Sequence, residues 1–186
     1  MLFRSLERFW GEHLWLADKE KETAKAQFVA DVWRALVGIM AKAKIKLPGT
    51  MLTRSASEAD IQSVAEQIWR LLDVMDVGLL VTDPMRRIIY VNATFTRESG
   101  YTLDEVQGHT CAVLQGPATD PTDIEVMRRA LDRGEGFSRV VLNYRKDGRP
   151  IHYRVRVQPL YEGTILRYFV GVQEDYSETY AALERL

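Results

Sequence analysis

The sequence predicts an α+β fold in which five strands follow an N-terminal helical region. Residues 2–46 contain no proline and carry apolar residues at helical spacing, which favours helix. Beyond residue 75, short helical segments separate two short strand-like runs from three long ones, a mixture typical of the α+β class. The predicted strands lie near residues 77–82, 87–91, 136–146, 149–161 and 165–175.

Two amphipathic helices are predicted in the N-terminal region. The first ends at Pro48-Gly49, because this pair interrupts a helix. Its apolar stripe comprises Phe28, Val32, Leu36, Ile39, Met40 and Ala43. The second helix begins near Ser55 or Ser57 and has an apolar face formed by Ile61, Val64, Ile68, Leu71 and Leu72. We expect four segments: an N-terminal extension (1–50), a flanking helix (51–74), the sheet domain (75–178) and the start of a C-terminal helix (179–186).

Turns and short helices connect the predicted strands. A tight turn at Asp83-Pro84 joins the first two strands, and the turn Lys146-Asp147-Gly148 joins the third and fourth as a hairpin. The helices between the second and third strands are predicted at residues 93–98, 102–106, 111–115 and 121–133. The last of them is expected to face inward with Ile124, Met127, Ala130 and Leu131.

Composition restricts the class of protein. The formal net charge is −1 and no basic block occurs, so nothing points to nucleic acid or to an anionic membrane surface. No apolar run has the length of a membrane span, and charges interrupt the N-terminus too early for a secretory signal. A single cysteine cannot form an internal disulfide, so we expect a cytoplasmic protein. The three histidines are scattered, and no metal site is expected: His13, His109 and His152.

The single cysteine, Cys111, lies in the segment Gly108-His109-Thr110-Cys111-Ala112-Val113-Leu114-Gln115-Gly116-Pro117. A lone cysteine is most often a small buried apolar residue. Four further segments accompany this one in order along the chain: Val81-Thr82-Asp83-Pro84, Asn92-Ala93-Thr94-Phe95 with Gly100-Tyr101, Asn143-Tyr144-Arg145-Lys146-Asp147-Gly148, and Gly171-Val172-Gln173. Over residues 75–178 this set resembles the LOV family, the blue-light-sensing, flavin-binding branch of the PAS fold.

The resemblance implies a five-stranded antiparallel sheet with short helices over one face, and a site for flavin mononucleotide (FMN). In this family blue light makes the cysteine sulfur bond reversibly to the C4a carbon of the flavin. Cys111 would form that bond, Arg128 and Gln115 would hold the phosphate and ribityl end, and Asn143 the polar ring edge. Gln173 would face N5 and O4, where its amide can exchange acceptor for donor. The remaining expected contacts are Thr82, Thr110, Leu114, Tyr153, Val155 and Phe169.

Four departures from the family pattern bear on the flavin. Thr110 and Ala112 stand where asparagine and a phosphate-pairing arginine are usual, and Tyr153 stands in place of a second ring-binding asparagine. The turn after Pro84 is about three residues shorter than usual. Riboflavin and FAD therefore stay open beside FMN. Without the other motifs, Gln173 would be interpreted as a polar residue at the end of a sheet rather than as a flavin contact. Arg128 would likewise be interpreted as a solvated residue of a helix.

The oligomeric state and the downstream activity of the protein are predicted less directly. No kinase, cyclase or helix-turn-helix signature is present, so we expect no enzyme activity. We expect a homodimer formed through the N-terminal helices and the outer sheet face, which carries an apolar patch: Val140, Leu142, Tyr168, Val170 and Val172. The alternative function is a light-insensitive PAS module that dimerises or senses another ligand such as haem. The sequence does not specify a downstream partner.

Overall fold

The computed structural model describes residues 31–32 and 76–185. The chain divides into two compact units, Met1–Val74 and Met75–Leu186. In the first unit Asp31 and Val32 are helical and Val32 is fully buried, as expected for a member of the apolar stripe. The rest of the two predicted N-terminal helices lies outside the described residues. The division into 1–50, 51–74, 75–178 and 179–186 stays a prediction.

The second unit contains the predicted five-stranded antiparallel sheet. Its strands are β1 (Gly78–Thr82), β2 (Ile88–Val91), β3 (Phe137–Tyr144), β4 (Pro150–Glu162) and β5 (Ile165–Asp175). Their order across the sheet is β2-β1-β5-β4-β3, and every neighbouring pair is antiparallel. The strand predictions are confirmed.

Short helices connect β2 to β3 and follow β5. They are α1 (Ala93–Ser99), α2 (Leu103–Val106), a 3-10 turn (Cys111–Leu114), α3 (Pro121–Asp132) and α4 (Ser177–Leu183). Side-chain caps set two of the starts, because Asn92 accepts from the amide of Phe95 and Asp120 from that of Thr122. None of the helices in residues 31–32 and 76–185 is long and apolar enough to cross a membrane.

Asn92 also fastens α1 to β1. Its Oδ1 accepts from the amides of Leu79 (2.8 Å) and Phe95 (2.9 Å), and its Nδ2 donates to the carbonyl of Val77 (3.0 Å). The side chain is buried, so each of these bonds satisfies a polar group that water does not reach. The helical layer is thereby held over the inner face of the sheet.

The strand register separates two faces of the sheet. Thr82 pairs with Phe169, Val155 with Gln173, and Val141 with Tyr153, so all six residues share the inner face. The helices pack on this face through a buried cluster of Leu80, Ile88, Val91, Phe95, Val106 and Leu114. The core therefore lies between the sheet and the helices.

The outer face differs from the expected contiguous apolar patch. Arg154 pairs with Val140 of β3, and Arg156 pairs with Val172 of β5, so two arginines of β4 separate the apolar residues of the two neighbouring strands. Arg156 forms an ion pair of 2.9 Å with Glu174, and Arg154 lies over the ring of Tyr176. The expectation of one continuous patch was wrong because it considered β3 and β5 without the strand between them.

Candidate functional site: a cavity between sheet and helices

A cavity of about 440 Å³ lies between the inner face of the sheet and the helical layer. This volume is within the range of small-molecule sites. Its walls come from β1, β3, β4 and β5 on one side, and from residues 110–115 and α3 on the other. Most of the lining is apolar, including Leu80, Leu114, Val141, Val157 and Phe169.

Ten of the eleven site residues predicted from the sequence line this one cavity. They come from six separate segments that the fold brings together. The ten are Thr82, Thr110, Cys111, Leu114, Gln115, Arg128, Asn143, Val155, Phe169 and Gln173. The eleventh, Tyr153, is fully buried on the same face of the sheet but is not part of the cavity wall.

Cys111 opens the 3-10 turn, directly after the extended residue Thr110. Its side chain is partly buried at the cavity and packs against the core cluster. Burial disfavours the thiolate and raises the pKa of the thiol to about 11. The sulfur is therefore protonated at neutral pH, and it faces the cavity as a thiol with low intrinsic reactivity.

Gln173 and Asn143 supply amides to the cavity from β5 and β3. Gln173 is 1% exposed, and its Nε2 is buried without a hydrogen-bond partner within the described chain. Asn143 is also buried. A buried amide donor without a partner is costly, so this nitrogen indicates where a ligand acceptor would bind.

Two glycines make room for this arrangement. A Cβ on Gly78, the β1 partner of Gln173, would lie 2.7 Å from Gln173 Cγ, so only glycine lets the glutamine adopt this position. A Cβ on Gly171 would lie 3.1 Å from the side chain of Leu80 and would project from the cavity floor. The surface that β5 contributes to the cavity therefore has no side chain between Phe169 and Gln173, and such a flat surface suits a planar ligand.

Arginines stand at the rim of the cavity. Arg128 of α3 lines it and forms an ion pair with Glu125. Arg86, in the turn between β1 and β2, also lines it and forms an ion pair with Asp132 of α3. The sequence predicted Arg128 but not Arg86, because an arginine in a surface turn gives no sign of facing a cavity.

Other lining residues were also missing from the predicted set. Strand alternation could have found Val141, Val157 and Gly171, which share a face with predicted residues. Helical spacing gave Ile124, Met127 and Leu131 as inward-facing residues of α3, and all three line the cavity.

Tyr153 belongs to a neighbouring buried cluster. Its hydroxyl has no hydrogen-bond partner within the described chain, and burial together with the carboxylate of Glu98 raises its pKa. Glu98 has one buried oxygen without a partner, and burial raises its pKa to about 7. The tyrosine that stands in place of the usual asparagine therefore lies near a partly buried acid, outside the cavity wall.

The histidines of the described residues lie outside the cavity. His109 is exposed, and His152 stacks on Tyr180 with ring centroids 3.9 Å apart. Among residues 31–32 and 76–185, no group of three or more His, Cys, Asp or Glu side chains could hold a metal ion.

Comparison with known proteins identifies the family. A family model described as PAS domain matches residues 76–178, more than half of the chain. The LOV domain of a blue-light activated histidine kinase from Erythrobacter litoralis is 33% identical, with a TM-score of 0.52, covering 54% of this chain and 96% of that one. The light-state structure of Aureochrome1 LOV is also 33% identical, with a TM-score of 0.54 and coverages of 63% and 92%. The chain belongs to the PAS domain family, and within it to the LOV branch.

Sequence relatives agree with this assignment. Phototropin-1B from Oryza sativa subsp. japonica is 30% identical over 187 residues, which cover 88% of this chain and 20% of that protein. A blue-light photoreceptor from Listeria innocua is 34% identical over 111 residues, covering 58% of this chain and 44% of that protein. The chain thus spans less than half the length of these relatives.

Proposed function

We propose that this protein is a blue-light photoreceptor that binds flavin in the cavity and uses Cys111 as its photoreactive residue. The observation that carries the proposal is the meeting of Cys111, Asn143 and the unpartnered Gln173 amide around one cavity. The relatives named as blue-light photoreceptors support it.

The lining fits a flavin. Apolar side chains on both walls suit an isoalloxazine ring, and the amides of Asn143 and Gln173 suit its polar edge. Thr82, Thr110 and Gln115 offer hydrogen bonds toward the ribityl chain, and Arg128 supplies a cation for a phosphate. We propose FMN as the physiological flavin, with riboflavin or FAD as the alternatives that Ala112 and Thr110 leave open.

Bound flavin would supply blue-light absorption and an electrophilic ring carbon, C4a. Cys111 would then bond to that carbon through sulfur, while its thiol proton passes to ring nitrogen N5. The raised pKa of Cys111 favours this arrangement, because a protonated thiol carries both the sulfur and the proton and stays unreactive in the dark. On return to the dark the bond would break and the proton would go back to the sulfur of Cys111.

Gln173 would transmit the light-induced change at the flavin to the sheet. Its amide can donate or accept, so a proton gained by the facing ring nitrogen reverses the preferred orientation. β5 pairs with both β1 and β4, so a shift of Gln173 reaches two neighbouring strands. We propose that the N-terminal helices receive this signal in a homodimer, and that a separate partner or domain produces the output.

The test is the absorption spectrum of the purified protein, supplied with flavin, before and after blue light. We expect a three-peaked blue band that bleaches and recovers in the dark. Cys111→Ala should keep the band and the flavin fluorescence but lose the bleach, since the chain has no second cysteine. A Cys111→Ala protein that bleaches in the same way, or a wild-type protein that binds no flavin, would overturn the proposal.

The alternative is a light-insensitive PAS module. For haem, the histidines of the described part of the chain lie off the cavity, and the thiolate of Cys111 is disfavoured by burial. These observations favour flavin. A haem-type absorption band in place of a flavin band in the same measurement would support the alternative.

A further inference from the structure

Arg86 lines the cavity but is not among the proposed flavin contacts. We propose that Arg86 binds the terminal phosphate of the flavin together with Arg128, and takes over the role of the arginine that is usual at position 112. The inference rests on the proposed function. It makes Arg86 a residue that determines preference for a phosphorylated flavin.

The position of Arg86 at the rim supports this role. Arg86 and Arg128 both line the cavity, although they come from the β1–β2 turn and from α3. The two are linked through α3, because Arg86 donates to Asp132, which lies one helical turn after Arg128. Ala112 also lines the cavity but carries no charge. A second cationic side chain at the cavity, beside Arg128, is that of Arg86 in the β1–β2 turn.

The backbone of the turn holds Arg86 in an unusual conformation. Its φ is 68°, in the left-handed region that few residues other than glycine, asparagine and aspartate adopt. The turn is pinned by Asp83, whose carbonyl accepts from the Arg86 amide (2.9 Å) and whose carboxylate accepts from the amide and Nε of Arg87 (both 2.8 Å). Such local strain is found at ligand-binding positions, and here it fixes the start of a long side chain.

The guanidinium of Arg86 has donors to spare. Its hydrogen bond to Asp132 uses Nη2 only, whereas a guanidinium carries five N–H donors in a planar fork. This geometry matches phosphate oxygens, and a phosphate dianion attracts the guanidinium more strongly than a carboxylate does. Asp132 competes with the phosphate for Arg86, because its negative charge pairs with the guanidinium in the flavin-free protein.

The experiment compares FMN with riboflavin, which differ only in the phosphate. Flavin-free full-length protein is titrated with each, and flavin fluorescence gives the two dissociation constants. Arg86→Gln should lower the preference for FMN over riboflavin by about three- to tenfold, because a charge-assisted contact at a partly exposed rim is lost. Its affinity for riboflavin should be unchanged.

Two further variants make the result specific. Asp132→Asn breaks the same ion pair but removes the competing charge, so its preference for FMN should be unchanged or increased. Arg133→Gln is the matched control, because Arg133 is exposed, pairs with Glu135 and does not line the cavity. If Arg86 only stabilised the turn, Arg86→Gln and Asp132→Asn would change binding of both flavins in the same direction.

The outcomes separate the two proposals. Loss of FMN preference in Arg86→Gln alone supports the phosphate role. An unchanged preference in Arg86→Gln, an equal loss in Asp132→Asn, or an equal loss for riboflavin overturns it while leaving the photoreceptor proposal intact. A wild-type protein that binds neither flavin overturns the proposed function itself.

Discussion

Glu98 is a partly buried acid in α1, close to the site but outside it. Burial is the largest cause that raises its pKa to about 7, and the nearby carboxylates of Asp175 and Asp76 act in the same direction. The charges of Arg97 and Arg145 oppose the increase. Near neutral pH, Glu98 is therefore divided between a neutral and a charged form.

This pKa leads to a prediction about stability. A carboxyl with a raised pKa in the folded state keeps its proton there while the unfolded chain has lost it. The wild-type protein should thus lose stability as the pH rises from about 4.5 to about 7, with the full loss above that range. Glu98→Gln should match the wild type at pH 5 and be more stable at pH 8, by on the order of 1 kcal/mol for a partly solvated group.

Thermal or urea unfolding at the two pH values measures the difference. The control is Glu105→Gln, because Glu105 is exposed and its contact with Lys146 lowers its pKa to about 2, far below the tested range. That variant should show no change in relative stability between pH 5 and pH 8. A Glu98→Gln protein whose advantage is equal at both pH values would show that folding does not raise the pKa of Glu98.

Single residues differ in how far the sequence could predict them. Cys111, Asn143 and Gln173 were predicted as one site because residue type and order carry that information, and they do line one cavity. The position of Arg86 at the cavity could not be predicted, because an arginine in a surface turn gives no sign of facing a cavity. Tyr153 was expected as a contact from the family resemblance; it lies on the inner face of β4, but it is not part of the cavity wall.

At the scale of secondary-structure elements, the pairing of β1 with β5 determines the space available to the Gln173 side chain. The glutamine lies opposite Gly78 in the register, with no room for a Cβ there. Elements of this kind were predictable from the sequence, because apolar runs and turn residues mark the strands. The close approach of the Gly78 backbone to the Gln173 side chain could not be predicted, because it depends on the register of two strands that are distant in the chain.

Gly78→Ala should therefore act on the photocycle through Gln173. The added methyl group displaces the Gln173 side chain, so dark recovery after blue light should change by about tenfold, the equivalent of one hydrogen bond of about 1.4 kcal/mol. The measurement is the recovery of flavin absorption. In a Gln173→Ala background, the effect of Gly78→Ala should disappear, because the clashing Cγ is gone. Equal effects in both backgrounds would assign the change to the strand itself.

At the scale of the whole molecule, the question is which surface joins two copies. Arg154 and Arg156 divide the outer face, so it is less suited to an extended apolar interface than the sequence suggested. Val170 and Val172 are fully buried, whereas Val140 and Tyr168 keep some exposure. Because the arginines divide the outer face, the N-terminal helices are the more suitable contact for the proposed homodimer.

Deletion of residues 1–50 should weaken or abolish the homodimer. Val32 is already buried within one chain, but the other stripe residues Phe28, Leu36, Ile39 and Met40 would contribute on the order of 10 kcal/mol gross if buried between chains, at about 1.5–3 kcal/mol for each side chain before ordering costs. Light scattering on the full-length and shortened proteins, in the dark and in blue light, measures the mass. Val140→Glu in the full-length chain is the control for the sheet, because Val140 lies on the outer face and does not line the cavity. A dimer that survives the deletion but is lost in Val140→Glu would assign the interface to the sheet, and a full-length monomer at micromolar concentration would refute the dimer.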